Sequence, residues 1–330
     1  AGKDGQQEVR AVFNTAISDT VALKVFGTKI DYDGHMDNIT TGNGVAEKDY
    51  SAGGATLLFT PNDRFEATLT VETFADEGTL DAFQTNYNVP AGLLPQPPAG
   101  SPENDFSGGF LTCAIFGTCR TSLDTPEFSE NDKDNNYSLD TDAVTLNMAL
   151  DLNENLTLVS VTGYRDVAEY RIYDFDASAA PMITIERFNE YDQLSQEVRI
   201  DGNFDRLSFT AGMYYFKNEF TQDWYTGDAF WGILFGANLA NPDLGGPGVS
   251  GLTLCQIGAF APVYCDPGMT DLSQNIHQIL YETQETVSTA VFAQMDYDLT
   301  DQLTLTAGLR WTKEEKDFIA GQAYLTQADR

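Results

Sequence analysis

The stretch ETVSTAVFAQMDYDLTDQLTLTAGLRW, residues 285–311, decides the fold of this chain. From Leu303 to Trp311 every second residue is apolar, and the residues between them are polar or glycine. A similar alternation runs from Val287 to Leu299, and only a short polar segment separates the two runs. Alternation with a period of two on both sides of a tight turn predicts an antiparallel hairpin with one apolar face.

This hairpin pattern recurs along the chain, each time with a very short polar turn. The turns lie at residues 17–20, 60–63, 151–155, 201–205 and 299–302. The connections between the hairpins are very unequal in length, and some of them are long. Tight turns at one end of the strands and long loops at the other are typical of bacterial outer-membrane barrels. We therefore predict an all-β fold, an antiparallel transmembrane β-barrel.

The alternation sets approximate element boundaries. Ten strands are predicted at residues 7–16, 20–32, 50–60, 64–76, 137–151, 155–174, 189–201, 206–224, 284–299 and 302–316. Outer loops are predicted at residues 33–49, 77–136, 175–188 and 225–283. The strands are long, as tilted membrane strands must be. A soluble β-sandwich or solenoid with an aromatic core is the alternative for a chain that is 12% aromatic.

The charge of the chain excludes one class of partner. Its 330 residues include 50 acidic and 18 basic residues, which gives a formal net charge of −32 at pH 7. Nucleic acid is excluded as a partner, since phosphates are neutralised by Lys and Arg. No apolar stretch reaches the roughly 18–20 residues of a helical membrane span. A transmembrane barrel does not need a long apolar stretch, because every second residue of its strands faces a polar lumen.

The two ends of the sequence suggest part of a larger barrel. The chain begins within a strand pattern at Gly5–Arg10, and it ends in a predicted outer loop, Gly321–Arg330. A barrel must close so that its edge strands are paired. We therefore expect residues 1–330 to be one partial barrel domain, an internal segment of a longer barrel.

Four segments, in this order, carry a family resemblance: residues 8–38, 158–176, 195–216 and 293–311. In the first, the strand Ser18–Lys24 leads to an Asp33-Gly34-His35-Met36-Asp37-Asn38 loop, with His35 where a Tyr is usual. The others contain Val161-Thr162-Gly163-Tyr164-Arg165, Ser195-Gln196-Glu197-Val198-Arg199, and Ala307-Gly308-Leu309-Arg310-Trp311. Together they resemble the barrel of TonB-dependent outer-membrane receptors.

The resemblance implies a 22-stranded barrel in the bacterial outer membrane, of which this chain would supply about strands 2 to 11. It also implies a plug domain and a TonB-contacting motif, neither of which is recognisable in this chain. Family substrates include siderophore-bound iron, cobalamin, haem and carbohydrates, and TonB drives their uptake. The resemblance does not identify the substrate or the residues that contact it. A passive porin, or a barrel component of an outer-membrane protein assembly, remains an alternative.

The four cysteines form two local pairs, Cys113 with Cys119 and Cys255 with Cys265, one in each of the two longest predicted loops. An oxidising compartment allows disulfides, and four cysteines allow three connectivities. We predict the two local disulfides because the partners of each pair are near in sequence and each pair lies in a separate loop. A metal site is disfavoured because neither pair has a CxxC spacing and histidine is nearly absent.

Two remaining patterns bear on cofactors and chemistry. Asp132, Asp134 and Asn136 resemble the start of a calcium loop, but Tyr137 replaces the turn glycine and Ala143 stands at the twelfth position. We predict a solvated acidic loop end, with bound calcium as the weaker alternative and no other cofactor. The two histidines, at positions 35 and 277, have no recognisable catalytic partner, and no catalytic motif is present. The chain is therefore predicted not to be an enzyme.

Overall fold

Ten long strands form one antiparallel sheet in the computed structural model, which describes residues 4–80, 128–129, 131–175, 183–227 and 276–326. In chain order the strands are β1 (Gln7–Ser18), β2 (Val21–Tyr32), β3 (Met36–Asn38), β4 (Gly44–Val45), β5 (Lys48–Asn62), β6 (Phe65–Thr79), β7 (Phe128–Ser129), β8 (Asn136–Asn153), β9 (Leu156–Asp174), β10 (Thr184–Asn203), β11 (Leu207–Gly227), β12 (Ile276–Thr300) and β13 (Leu303–Thr326). No helix in the described residues is long and apolar enough to cross a membrane, a finding that does not concern strands.

The sheet follows the chain as a meander. Its order is β1-β2-β5-β6-β8-β9-β10-β11-β12-β13, and β3, β4 and β7 form a separate small sheet. Each long strand pairs with its sequence neighbour among the long strands, which confirms the ten predicted strands. Within the described residues β1 and β13 are the edges of the sheet and do not pair with each other, so these residues form an open section of wall.

The long strands extend further than the predicted loop boundaries allow. Residues 276–283 belong to β12 and residues 225–227 to β11, although both were predicted to lie in the loop 225–283. Residues 184–188 likewise begin β10 instead of ending the loop 175–188. The predicted loop 33–49 contains β3 and β4, and β5 begins at Lys48. These strand ends carry polar residues on both faces, so they lack the alternation that marks the membrane-facing parts.

Pairing and exposure separate the two faces of the sheet. Directly opposite residues lie on the same face, so the register assigns every strand residue to one side. On the outward face, the exposed apolar side chains form a continuous band: Val25, Leu57, Phe59, Leu69, Val71, Val144, Leu158, Tyr164, Met213, Val291, Met295, Tyr297, Leu305, Leu309 and Trp311. An apolar band on the outward face is the surface that a barrel presents to lipid.

The register also gives the tilt of the strands. The cross-strand row that starts at Val21, the first residue of β2, reaches Val291 on β12. β12 ends at Thr300, nine residues further on, so the turn ends of the strands shift by nine residues over seven strand steps. With a rise of about 3.4 Å and a strand spacing of about 4.8 Å, this shift corresponds to a tilt of about 40°. Barrels close with strand tilts of this size.

Above the apolar band, the outward face is acidic. One cross-strand row consists of six carboxylates on six successive strands: Asp142, Asp166, Asp192, Glu219, Glu285 and Asp317. Lys217 contacts two of them, with Nζ to oxygen distances of 2.6 Å to Glu219 and 2.9 Å to Glu285. Like charges directly opposite each other destabilise a sheet, and charged side chains are costly in lipid. This part of the wall therefore lies in water, where the carboxylates are solvated.

Candidate functional site

The inward face of the sheet carries an apolar surface as well as charges. A cavity of about 810 Å³ opens on this face and is lined by residues of six strands, β1, β2, β5, β6, β8 and β9. Phe26, Ile30, Tyr50, Phe74 and Leu139 supply its largest apolar side chains. Tyr50 and Phe74 pack against each other with ring centroids 6.1 Å apart. A cavity that joins six adjacent strands shows that this face is concave, so it is the lumen side of the wall.

Near the long-loop end, two arginines lie side by side on the same inward face. Arg171 of β9 is directly opposite Arg187 of β10. Glu169 contacts both guanidinium groups: it forms an ion pair with Arg171, and its Oε2 lies 4.0 Å from Nη2 of Arg187. The side-chain exposure is 38% for Arg171 and 25% for Arg187, against 14% for Glu169. Two cations therefore share one half-buried carboxylate.

Aromatic side chains flank this arginine pair. Trp224 on β11 is opposite Arg187, and the guanidinium carbon lies 6.0 Å from the indole ring. Tyr137 on β8 is opposite Arg171, and its hydroxyl donates a hydrogen bond of 2.9 Å to Asp76. One row of the inner wall thus has two adjacent cationic groups with an aromatic group on each side.

The acidic segment that contains Asp132, Asp134 and Asn136 is hydrogen-bonded to a second connection of the chain. The carboxylate of Asp134 accepts hydrogen bonds from the amide of Asn38 at 3.2 Å, from the hydroxyl of Thr41 and from the amide of Asn43. The Asn38 amide also donates to the backbone oxygen of Asn131 at 3.0 Å. Residues of the β2–β5 connection are in this way tied to the segment that leads into β8.

A second set of contacts fastens the same segment to the end of β9. The backbone N–H of Asp132 donates to the buried carboxylate of Asp174 at 3.0 Å, and the Asp174 N–H donates to the side chain of Asn135 at 2.8 Å. Asn136 begins β8 and is exposed. In the described part of the chain no three His, Cys, Asp or Glu residues are grouped as a metal site would require. The calcium alternative stays a prediction.

Several predicted features cannot be placed. Cys113, Cys119, Cys255 and Cys265 lie outside the described residues, so the two disulfides remain predictions. The apolar run at residues 230–235 also lies outside them; the sequence predicts that it packs against a neighbouring loop or a plug, with binding of a ligand or a partner protein as the alternative. His35 is exposed in the β2–β5 connection, where its backbone N–H donates to the Val45 carbonyl at 3.3 Å.

The sequence prediction did not find the arginine pair. Arg187 was placed in the loop 175–188, whereas it lies three residues inside β10. The alternation of the strand could have located Arg187. If the strand is extended upstream, Arg187 lies on the same face as Gln193 and Arg199.

The match to a family model decides the classification. The model for the TonB dependent receptor-like β-barrel matches residues 73–326. The chain belongs to this family. It is therefore a bacterial outer-membrane protein, and its family consists of receptors and transporters, not enzymes. A comparison with curated proteins finds no match.

Solved structures share the fold at low sequence identity. The ferric yersiniabactin uptake receptor FyuA of Yersinia pestis has a TM-score of 0.59 and 14% identity, over 98% of this chain and 41% of that receptor. The ferripyoverdine receptor of Pseudomonas aeruginosa, bound to ferripyoverdine, has a TM-score of 0.53 and 13% identity, over 97% of this chain and 36% of its own. FpvA of P. aeruginosa, bound to a heterologous pyoverdine and iron, has a TM-score of 0.55 and 13% identity, over 99% of this chain and 37% of its own. The chain thus spans about two fifths of the length of these structures.

Proposed function

We propose that this chain is part of the barrel wall of an outer-membrane receptor for a scarce nutrient, with an iron–siderophore complex as the favoured substrate. Uptake would be active and driven by TonB and the inner-membrane proton gradient. A folded plug domain would fill the lumen until the ligand binds. The observation that carries this proposal is the apolar surface of the inner wall.

That surface fits a covered lumen better than an open pore. The inward residues of a water-filled porin are polar. Here Phe26, Ile30, Phe74 and Leu139 line one inward cavity together with Tyr50. Apolar area removed from water contributes about 25 cal/mol per Å². A folded domain packed against this part of the wall would remove its apolar area from water and would be stabilised by that contribution. In a water-filled pore the same area would stay exposed to water.

The choice of substrate class is supported by the fold relatives. FyuA is an uptake receptor for ferric yersiniabactin, and the Pseudomonas receptor binds ferripyoverdine. Carrying this class over to the present chain is a proposal, as is its coupling to TonB. Cobalamin, haem and carbohydrates are the competing substrates.

The test is energy-dependent uptake. Cells of the native host, with and without the gene, would receive radioactive iron complexed by the concentrated supernatant of their own iron-starved culture. We expect uptake to require the gene and to stop when a protonophore collapses the proton gradient or when TonB is deleted. Gene-dependent uptake that continues without the gradient would contradict active transport and favour the passive pore. Uptake that is unchanged without the gene would contradict the proposed substrate.

A further inference from the structure

The arginine pair on the inner wall is unfavourable as a purely structural element. Arg171 and Arg187 are directly opposite each other in the β9–β10 pairing, and like charges in that position destabilise a sheet. One carboxylate, that of Glu169, contacts both arginines. One positive charge of the group is therefore left uncompensated, in a chain whose net charge is −32.

The hydrogen bonding around the pair is also incomplete. The Nε atoms of both arginines are buried and have no hydrogen-bond partner among the described residues. A buried donor without a partner costs about 1–3 kcal/mol. By contrast, Glu169 is held in place, because the Asn189 amide donates to its carboxylate and Gln222 donates to Asn189 at 2.7 Å. The carboxylate is thus fixed, while both guanidinium groups keep donor capacity.

An aromatic ring lies beside Arg187. The Trp224 indole N–H donates to the hydroxyl of Thr226 at 3.2 Å, which fixes the orientation of the ring. The guanidinium carbon of Arg187 lies 6.0 Å from that ring. A fixed indole next to guanidinium donors suits a flat aromatic group that carries a negative charge.

The location of the pair is accessible from outside the cell. Arg171 lies seven residues beyond Tyr164, which is the residue of β9 in the apolar band nearest to the acidic row. At a rise of about 3.4 Å and a tilt of about 40° this is about 18 Å above the lipid-facing band. Because Arg171 and Arg187 point inward, lipid headgroups do not reach them, and a ligand that enters the mouth of the barrel does.

We infer that Arg171, Arg187 and Trp224 form a binding site for an aromatic anion, an aryl group bearing phenolate or carboxylate oxygens. This inference rests on the proposed function and narrows its substrate class from ferric chelates in general to chelates with negatively charged aromatic rings. The guanidinium groups bind the oxygens, and the indole ring packs against the aryl group.

The experiment is calorimetric titration of the full-length protein in detergent with two ferric complexes. Ferric tris-catecholate is aromatic and carries three negative charges, whereas ferric tris-benzohydroxamate is aromatic and uncharged. We expect Arg171→Gln and Arg187→Gln each to weaken tris-catecholate binding about tenfold or more. Binding of the uncharged complex should change less than about twofold in both variants. Trp224→Leu should weaken the binding of both complexes.

Two controls keep the test sharp. Arg199→Gln makes the same charge change on the same strand and face, but this guanidinium is already paired with Glu197 at 2.7 Å and with Asp201 at 3.1 Å. It should leave tris-catecholate binding within about twofold. Arg187→Lys keeps the charge and should restore part of the affinity lost in Arg187→Gln. Heat-dependent gel mobility verifies that each variant is folded.

The inference is overturned if the variants at positions 171 and 187 bind tris-catecholate as well as the unmodified protein does. It is equally overturned if both complexes weaken to the same extent in these variants, since the arginines would then act on the fold and not on a charged ligand. Energy-dependent iron uptake alongside either result would leave the proposed function standing. Gene-dependent uptake without the proton gradient, alongside arginine-dependent binding, would refute the transport proposal and leave this site standing.

Discussion

Substituting Leu146 by Arg tests the assignment of the two faces of the wall. Leu146 lies on the outward face between Leu69 and Thr162, near the middle of the apolar band on β8. An Arg at the bilayer midplane on the lipid face of a barrel costs about 2–4 kcal/mol. Since each 1.4 kcal/mol is a factor of about ten, the folding equilibrium constant should fall by roughly 30- to 700-fold.

The next residue supplies the matched control. Asn147 is on the inward face, opposite Thr68 and Val161, so Asn147→Arg places the same side chain in the lumen. We expect this variant to remain within about 1 kcal/mol of the unmodified protein. The assay is urea-dependent folding of the full-length protein into phospholipid vesicles, followed by heat-dependent gel mobility. Equal losses in the two variants, or a larger loss for Asn147→Arg, would refute the assignment of the faces.

Three further predictions concern the part of the wall beyond the membrane. Gly34 has φ +84, and a Cβ added there would collide with the Val45 carbonyl. Gly34→Ala should therefore destabilise the small sheet by roughly 1–2 kcal/mol or more and speed amide exchange at residues 36–45. Gly42 has φ +81 and no atom within 4 Å of an added Cβ, so Gly42→Ala should show only the smaller effect of backbone strain. Asp134→Ala removes an acceptor shared by three donors and should speed amide exchange at residues 38–43 by about tenfold. Added calcium should leave that exchange unchanged in the unmodified protein, and calcium-dependent protection would instead support the bound-ion alternative. Asp166→Asn removes one charge from the acidic row and should raise the free energy of unfolding by about 0.2–1 kcal/mol, with a smaller effect at high salt; a loss of stability at low salt would contradict the repulsion.

The membrane-facing part of the fold could be predicted because lipid and lumen impose opposite requirements on alternate residues. Residues 303–311 show this contrast fully, and they lie in β13 as expected. The contrast disappears where both faces meet water. The start of β12 reads Ile276-His277-Gln278-Ile279-Leu280-Tyr281-Glu282-Thr283, in which apolar and polar residues do not alternate, so residues 276–283 were predicted as loop.

The small sheet and the arginine pair depend on information that local sequence lacks. β4 and β7 have two residues each, too few to show any alternation. They form because Asn38, Asn131 and Asp134 meet across long sequence distances, through hydrogen bonds that span more than 90 residues. Arg171 and Arg187 become neighbours only through the register of β9 and β10, which a strand boundary misplaced by five residues conceals.

The inner wall distinguishes two accounts of this barrel that share the same outward face. Under the proposed function, a domain packed inside the lumen would cover the apolar cavity surface lined by Phe26, Ile30, Phe74 and Leu139, whereas in a diffusion pore this surface would face water. The arginine pair above it would then lie at the entrance, where a ligand arrives before the lumen opens.

Conductance of the full-length protein in a planar lipid bilayer tests this central claim most directly. An occupied lumen predicts that the inserted protein passes little or no ionic current, and that current appears when urea unfolds the domain inside. A large, steady conductance of the untreated protein would show an open lumen and would contradict the receptor account.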